Sequence, residues 1–355
     1  MNIRIGLIGY LGYSVENPII GGQMSKTRGI YEELKKKFGE NSISCVDTSN
    51  WKKEKAKLIK DCIRTGKNSD CVIIMPNKNG IKFILPIMSI LKKSNRYVLI
   101  YPVVGGWLTD LLTKNKYLIR HFKKIDYILP ETEMLRSELV KFTDSRIDVM
   151  PIFSLRKPVD SVTEYSDKVY KFFTFSRVTP SKGIDDAVEA IQRINKAAGK
   201  QIAALDVWGP VEAGLEEHYQ ELFKASDSVN YRGILPGDTD LDIFTQYYMM
   251  LFPTYYPGEG FPTTVCESFM AGLPVIASDW RFNSELVKDD FTGYLFKTHN
   301  IDNLVETINK AITNNKENIV MRKNALEKSG DFIPKKACSR LFDFIISSCD
   351  QGDSL

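Results

Sequence analysis

Cysteine and histidine are scarce in this chain of 355 residues, and neither forms a pattern with an obvious chemistry. The six cysteines include no C-x-x-C pair, so we expect reduced thiols in a reducing compartment and no disulfide framework. The histidines His121, His218 and His299 are scattered, so no zinc cluster is legible and we predict no bound metal. A G-x-G-x-x-G fingerprint is also missing, which argues against a nicotinamide enzyme.

Long hydrophobic runs are absent as well. No run of 18 apolar residues occurs, so the sequence predicts no membrane-spanning helix. The apolar start, Met1 to Gly9, is too short for a signal peptide and is typical of a first buried strand. We therefore expect a cytoplasmic protein.

Positive charge is concentrated in the first part of the chain. Residues 1–160 hold 28 Lys and Arg against 16 Asp and Glu, whereas the remainder holds 20 against 28. The basic part predicts peripheral contact with an anionic membrane at its inner face, or with a lipid-linked diphosphate. A solvated basic face without a specific partner is an equal alternative. No recognised nucleic-acid motif appears, so we predict no nucleic-acid partner.

Strand-like apolar runs alternate with helical patterns along the chain, which predicts an α/β protein with parallel sheets covered by helices. A length of 355 residues with 43% hydrophobic residues indicates two domains with real cores. The polar stretch from Leu155 to Val169 lacks periodicity, and we place a linker at 158–167. The predicted domains are 1–157 and 168–333, followed by a last helix at 334–350.

The most informative stretch is 258–277, GEGFPTTVCESFMAGLPVIA, which follows a predicted buried strand. Pro262 stands where a helix would begin, so we predict a strand–loop–helix–strand unit. The N–H groups at the helix start, on Thr263 and Thr264, form a site suited to an anion, with the helix dipole behind it.

Two carboxylates flank that helix start, Glu259 in the loop and Glu267 in the helix. As a hydrolase acid/base pair on one helix they would stand about 12 Å apart, beyond the roughly 5–9.5 Å that a glycosidase pair needs. A ligand-binding role fits better. One carboxylate would bind sugar hydroxyls and the other ribose hydroxyls, while the helix N–H groups would bind a phosphate. The alternative is structural: Glu259 caps a turn and Glu267 lies on a solvated face.

A second polar segment, FSRVTPSKG at 175–183, follows the first predicted strand of the second half. Its loop carries Arg177 and Lys182 before a helix start. The pair is suited to clamp a diphosphate, because arginine offers a fork of donors and lysine a point charge. Two solvated loop cations are the alternative.

Together the two segments resemble the E-x7-E and S-R-x-x-x-x-K-G motifs of retaining GT-B glycosyltransferases, the large family that includes sucrose synthases and many bacterial polysaccharide transferases. The resemblance is strongest from about 170 to 300. It implies two Rossmann-like, doubly wound parallel-sheet domains facing a cleft: a first domain for the acceptor, which the last helix crosses back to join, and a second for the donor.

The same resemblance implies the reaction. A sugar would move, with retention of configuration, from a nucleotide-diphosphate sugar to a hydroxyl of a glycan or lipid-linked glycan in surface polysaccharide synthesis. The expected donor is a UDP-sugar, and neither a metal nor a cofactor is expected.

The resemblance also implies roles for matching residues. Arg177 and Lys182 neutralise the leaving diphosphate, and Glu259, the third catalytic residue, holds sugar hydroxyls. Glu267 holds the ribose. The other expected donor-binding residues are Gly22, Gly105, Gly106, Gly209, Ile234, Leu235, Gly260, Phe261, Thr263 and Thr264.

The segment VVGGWL at 103–108 resembles one found in some bacterial capsule and exopolysaccharide transferases. Many relatives carry a histidine near there that touches the donor sugar, but here His121 lies well beyond. We expect the backbone of Gly105 and Gly106 to take its place. Further on, the segment Glu131-Thr132-Glu133 opens a predicted helix. Helix capping is the favoured role for it, and contact with the acceptor is the alternative.

Two other functions stay open to the sequence. One is a non-catalytic nucleotide-sugar-binding partner subunit, and the other is a GT-B nucleotide-sugar epimerase or phosphorylase. The intact set of Arg177, Lys182, Glu259 and Glu267 argues against a degenerate site.

Overall fold

The computed structural model describes residues 3–16, 21–236 and 239–349. The chain divides into two compact units, Met1–Leu155 with Asp331–Leu355, and Arg156–Gly330. Residues 158–167, where we expected a linker, lie in the second unit, and Val159 donates its N–H to the carbonyl of Met270 at 2.8 Å.

Within the described residues, the strands pair in parallel into two sheets of six. They are β1 (Ile5–Gly9), β2 (Ile43–Asp47), β3 (Cys71–Met75), β4 (Val98–Pro102), β5 (Tyr127–Leu129), β6 (Arg146–Ile147), β7 (Tyr170–Phe175), β8 (Ala203–Trp208), β9 (Val229–Gly233), β10 (Met249–Phe252), β11 (Val275–Ser278) and β12 (Gly293–Phe296). The orders are β2-β1-β3-β4-β5-β6 and β12-β11-β10-β7-β8-β9. The prediction of two doubly wound parallel sheets is confirmed.

Helices connect the strands. They are α1 (Gly22–Phe38), α2 (Lys55–Asn68), α3 (Ile81–Asn95), α4 (Leu108–Lys114), α5 (Lys116–Phe122), α6 (Glu133–Leu139), α7 (Ile184–Ala198), α8 (Glu216–Lys224), α9 (Thr263–Met270), α10 (Asn283–Leu286), α11 (Ile301–Thr313), α12 (Asn315–Ser329), α13 (Pro334–Ala337) and α14 (Ser339–Cys349). No helix in the described part of the chain combines the length and the apolar content that crossing a membrane requires.

The core of the first unit lies around β1 and β3. All five residues of β3, CVIIM, are buried, as expected for a central parallel strand covered on both faces. Leu341, Phe342 and Ile345 of α14 belong to the same buried cluster. The final helical segment therefore completes the core of the first unit.

The core of the second unit lies between its sheet and α7. Ile184, Val188 and Ile191 of α7 are buried and recur at helical spacing on one face, against strand residues such as Leu205 and Leu251. This packing fixes the start of α7, and with it the loop that precedes the helix.

The apolar run Ile147–Met150 predicts a strand, but the strand there is shorter, Arg146–Ile147. Thr132 accepts a hydrogen bond from the N–H of Leu135 and so caps α6, which begins at Glu133. The last helix is divided at Cys338 into α13 and α14.

Candidate active site

The second sheet has its topological switch point between β7 and β10. These strands are hydrogen-bonded neighbours, yet the chain continues from β7 to one side of the sheet and from β10 to the other. Open α/β sheets bind ligands at the carboxyl ends of such strands. The two predicted motifs, 175–183 and 258–267, follow these two ends.

Gly183 brings the two loops together. It adopts a φ of +69°, and a Cβ there would lie 2.1 Å from the carbonyl oxygen of Pro253, the residue after β10. Only glycine combines this left-handed conformation with such a close approach. The backbone contact therefore places Lys182 beside the loop that carries Glu259.

The predicted catalytic residues Lys182 and Glu259 are in direct contact. Lys182 Nζ donates to Glu259 Oε2 at 2.5 Å, and the hydroxyl of Thr254 donates to the same oxygen at 2.8 Å. Glu259 is 7% exposed. The site therefore contains a cation and a carboxylate that neutralise each other, both held by strand-end loops.

Arg177 differs from Lys182 in its surroundings. Its side chain is exposed, and it forms no ion pair with the parts of the chain that the structure describes. The backbone next to it is fixed, because Ser176 donates its N–H to the carbonyl of Trp208 at 3.1 Å. Arg177 thus places an exposed side chain on a fixed loop.

The start of α9 is open to an anion. Its N-cap, Pro262, provides no side-chain hydrogen bond, and no acidic residue lies in the first turn. The N–H groups of Thr263 and Thr264 therefore lack partners within the helix, and both residues are partly exposed. Gly260 and Phe261, also partly exposed, lead into this turn.

Glu267 lies one turn further along α9 and is 8% exposed. Its Oε1 is 3.6 Å from Nε of Arg156, the first residue of the second unit. The alternative that Glu267 lies on a solvated helix face is therefore wrong. The residue also lies outside the loop that carries Glu259. Arg156 could not be predicted as the partner of Glu267, because an arginine in a polar stretch usually faces solvent.

Gly209 joins a third loop to the site. Its φ is +134°, and a Cβ would lie 1.7 Å from the carbonyl oxygen of Ser176. Beyond β9, Ile234 is 65% exposed, whereas Leu235 is 7% exposed. Of the two apolar residues expected at the nucleobase, only Ile234 offers its side chain to the surface.

Trp280 and Arg281, which follow β11, support the loop that carries Glu259. Trp280 Nε1 donates to the carbonyl of Tyr256 at 2.9 Å, and Arg281 Nε donates to that of Pro257 at 2.9 Å. Sequence reasoning missed both, because nothing in the local pattern links them to a loop more than twenty positions earlier.

In the first unit, Gly22 is the exposed first residue of α1, and Gly105 and Gly106 follow β4. Gly105 donates its N–H to Glu131 Oε2 at 3.1 Å, and Glu131 Oε1 lies 3.1 Å from Lys26 Nζ. The lysine also donates to the carbonyl of Val103 at 2.9 Å.

The capping role expected of the segment 131–133 is confirmed for Thr132, which caps α6. Glu131 has a different role. Lys26 and Glu131 are 0% and 2% exposed and instead hold the 103–105 loop in place. Lys26 was missed because a lysine within a helix usually lies on a solvated face.

The loop after β1 is held by Asp47. Its carboxylate accepts the four successive N–H groups from Leu11 to Ser14 at 2.8–3.3 Å. Burial alone would raise the pKa of Asp47, but hydrogen bonds from the backbone of Leu11 and from Ser49 outweigh burial, and the pKa lies below its usual 3.8.

Residues 160–328 match the family described as Glycosyl transferases group 1, and the match takes in nearly all of the second unit. The chain is similar to the UDP-N-acetylglucosamine–peptide N-acetylglucosaminyltransferase GtfA subunit of Streptococcus agalactiae. The identity is 26% over 201 residues, which are 56% of this chain and 35% of that protein.

It is also similar to the poly(ribitol-phosphate) alpha-N-acetylglucosaminyltransferase of Staphylococcus aureus, with 21% identity over 56% of this chain and 39% of that protein. The aligned parts thus span well under half the length of these relatives. Among solved structures, Anabaena Alr3699/HepE in complex with UDP superimposes with a TM-score of 0.71 at 13% identity. The superposition covers 97% of this chain and 100% of that one.

The two parallel sheets and the structural likeness confirm the GT-B fold class. The match to the group 1 glycosyltransferases lies within the second unit and covers just under half of the chain.

Proposed function

We propose that this protein is a retaining GT-B glycosyltransferase that moves a sugar from a UDP-sugar to a hydroxyl of a glycan or lipid-linked glycan. The observation that carries the proposal is the contact of Lys182 with Glu259 at the switch point of the second sheet. The UDP bound to the similar Anabaena protein and the name of the similar GtfA subunit support a UDP-sugar donor. The names of both curated relatives include N-acetylglucosamine as the transferred sugar. UDP-N-acetylglucosamine is the first donor to test.

Each loop of the second unit has a role in this proposal. Arg177 and Lys182 bind the diphosphate, the N–H groups of Thr263 and Thr264 add to that site, and Glu267 accepts the ribose hydroxyls. The nucleobase lies near Gly209 and Ile234, and the backbone at 260–261 faces the sugar.

Because Lys182 is paired with Glu259, it can exchange this carboxylate for a diphosphate when the donor binds. A diphosphate offers more charge and more acceptor oxygens than a carboxylate, so it competes for Lys182. When Lys182 turns to the diphosphate, Glu259 becomes able to accept hydrogen bonds from sugar hydroxyls. Donor binding thereby prepares the carboxylate that orients the sugar.

The chemical step needs charge stabilisation at the leaving group. The acceptor oxygen forms a bond to the anomeric carbon while the bond from that carbon to the diphosphate oxygen breaks, and the hydroxyl proton passes to the leaving phosphate. Arg177, Lys182 and the first turn of α9 meet the charge that develops there. These fixed groups are sufficient for the role, so we propose no resident cofactor.

We place the reaction in surface polysaccharide synthesis, in the cytoplasm at the inner face of the membrane. The support lies in α3 of the first unit, where Phe83 and Ile90 are 54% and 60% exposed and seven positions apart. The ring of Trp51 lies 5.5 Å from that of Phe83, and the exposed Lys52 and Lys53 follow Trp51. Apolar and basic side chains together suit an anionic lipid surface. Sedimentation with anionic but not neutral vesicles tests this placement.

The function itself is tested by measuring UDP release from UDP-sugars with and without a glycan acceptor, and by determining the anomeric configuration of the product by NMR. Acceptor-dependent release with a retained anomer supports the proposal. A donor sugar isomerised without acceptor would indicate an epimerase, and dependence on phosphate a phosphorylase. Binding of donor with no turnover for any acceptor would favour the non-catalytic subunit.

A further inference from the structure

Arg156 contacts three elements of the candidate site at once. Its Nη1 donates to the carbonyl of Thr239 at 3.0 Å, and its Nη2 donates to that of Pro236 at 3.1 Å. Nε lies 3.6 Å from Oε1 of Glu267, and the guanidinium carbon lies 6.0 Å from the ring centroid of Phe175. The side chain is only 14% exposed.

These partners all belong to parts of the second unit that the proposed function uses. Glu267 is the residue assigned to the ribose, Pro236 directly follows the apolar pair assigned to the nucleobase, and Phe175 ends β7 just before the diphosphate loop. The proposed function leaves Arg156 itself without a role. Its position nevertheless fixes the ribose carboxylate relative to the nucleobase loop.

The chemistry of the guanidinium suits this arrangement. A planar fork with five N–H donors can serve two carbonyls and a carboxylate in one fixed geometry, which an ammonium on a flexible stem cannot. The guanidinium also carries the charge opposite to that of the Glu267 carboxylate, and a carboxylate can accept hydrogen bonds from two ribose hydroxyls.

We propose that Arg156 is a positioning residue for nucleotide recognition, which orients the Glu267 carboxylate toward the two ribose hydroxyls and fixes the nucleobase loop beside it. This inference rests on the proposed function, since it assumes that Glu267 binds the ribose. It adds a residue outside both sequence motifs, at the point where the chain enters the second unit.

The test compares the binding of UDP, 2′,3′-dideoxy-UDP and inorganic pyrophosphate by calorimetry. The wild-type protein should prefer UDP over the dideoxy analogue by at least about tenfold, since the analogue leaves Glu267 without hydroxyl partners. In Arg156→Met this preference should fall to within about twofold of unity, while pyrophosphate binding should stay unchanged. Arg156→Lys, which keeps the charge but not the fork, should recover only part of the preference.

Arg193→Met is the matched control, because Arg193 is a half-exposed arginine of the same unit that pairs with Glu189 and Asp302 on the surface. It should keep the full preference. If Arg156→Met proves unfolded, the comparison rests on Arg156→Lys, which should still show a reduced preference.

Two outcomes contradict the inference in different ways. If the Arg156 variants bind UDP and its analogue with the wild-type preference, the positioning role is wrong while the proposed function stands. If the wild-type protein binds no UDP, or does not distinguish it from the dideoxy analogue, the assignment of Glu267 in the proposed function is itself wrong.

Discussion

The ammonium of Lys182 lies 2.5 Å from Oε2 of Glu259, and this contact joins the loop after β7 to the loop after β10. The two side chains are 13% and 9% exposed. Two charges this far removed from water depend on each other, because neither is well solvated alone. The pair therefore matters for stability as well as for the proposed exchange of partners with a diphosphate.

Lys182→Met should lower the free energy of unfolding by about 3 kcal/mol, since it leaves the carboxylate of Glu259 buried without its cation. Adding Glu259→Gln should restore part of the loss, because the second change removes the unpaired charge. Urea denaturation followed by circular dichroism measures both. A double variant less stable than Lys182→Met alone would show that the two side chains are not coupled in this way.

The sequence was sufficient to predict the buried strands. The short runs 71–75, 127–129 and 203–208 predict strands with the bounds that β3, β5 and β8 have in the structure, because apolar runs between polar segments leave little choice. The start of α9 was also predicted correctly, from Pro262. Local patterns alone carry this information.

Contacts between distant positions could not be predicted. Lys26 and Glu131 are 105 positions apart, and Arg156 is far from Glu267 in sequence. A charged residue looks the same in sequence whether it is solvated or buried beside a partner. Such pairs depend on which loops the strand order of each sheet brings together, and the sequence does not reveal that order.

Because Arg177 is exposed, we predict that replacing it weakens donor binding without lowering the stability of the protein. Arg177→Ala should leave the melting temperature of the protein nearly unchanged, since exposed substitutions usually change stability by less than about 0.5 kcal/mol. It should abolish the rise in melting temperature that a UDP-sugar produces, because that rise reports binding to the folded state. Glu267→Ala should abolish the same rise while also lowering the starting temperature.

Differential scanning fluorimetry with and without donor measures these effects. Arg193→Ala provides the control, and the donor should stabilise that variant as it does the wild-type protein. An undiminished rise in well-folded Arg177→Ala would remove Arg177 from the site.

Gly183 and Gly199 form a matched pair at the two ends of α7. Their φ angles are +69° and +64°, so alanine costs about 1–2 kcal/mol in each for the left-handed conformation. A Cβ at Gly183 meets the carbonyl of Pro253 at 2.1 Å, whereas one at Gly199 meets nothing within 4 Å. Gly183→Ala should therefore cost about 1–3 kcal/mol more than Gly199→Ala. Equal losses in urea denaturation would show that the two loops need no such close approach.

In the first unit, we predict that stability depends on the ion pair of Lys26 and Glu131, as it does on Lys182 and Glu259 in the second unit. Lys26→Met should destabilise the protein by about 3–5 kcal/mol, because it leaves a buried carboxylate beside the N–H of Gly105. Glu131→Gln in that background should recover part of the loss. Lys37→Met, a change at an exposed lysine of the same helix, should have almost no effect. Thermal unfolding of the wild-type protein and these three variants measures the effects. Equal destabilisation by the two lysine changes would argue against the dependence of Glu131 on Lys26.

Asp47 predicts a dependence of stability on pH. Its pKa in the folded protein lies below the usual 3.8, so its contribution to stability is fully present above about pH 4 and is lost as the pH falls through the folded pKa. Asp47→Asn should therefore be less stable than the wild-type protein at neutral pH. The difference should shrink as the pH is lowered from about 4.

Melting temperatures of both proteins between about pH 2.5 and pH 7 test this. Asp227→Asn, at an exposed carboxylate, is the control. A constant difference across the whole range would show that the four N–H groups of the 11–14 loop do not favour the ionised form of Asp47.

The first unit is assembled from two stretches of chain, and α14 supplies Leu341 and Phe342 to its buried cluster. During synthesis on the ribosome, these residues emerge roughly 200 positions after the end of β6, a delay of about 10–40 s at usual rates of translation. The second unit, by contrast, is one continuous stretch and is complete before them. The second unit is thus free to fold first, and the nascent first unit exposes an unfinished apolar face until α14 has emerged.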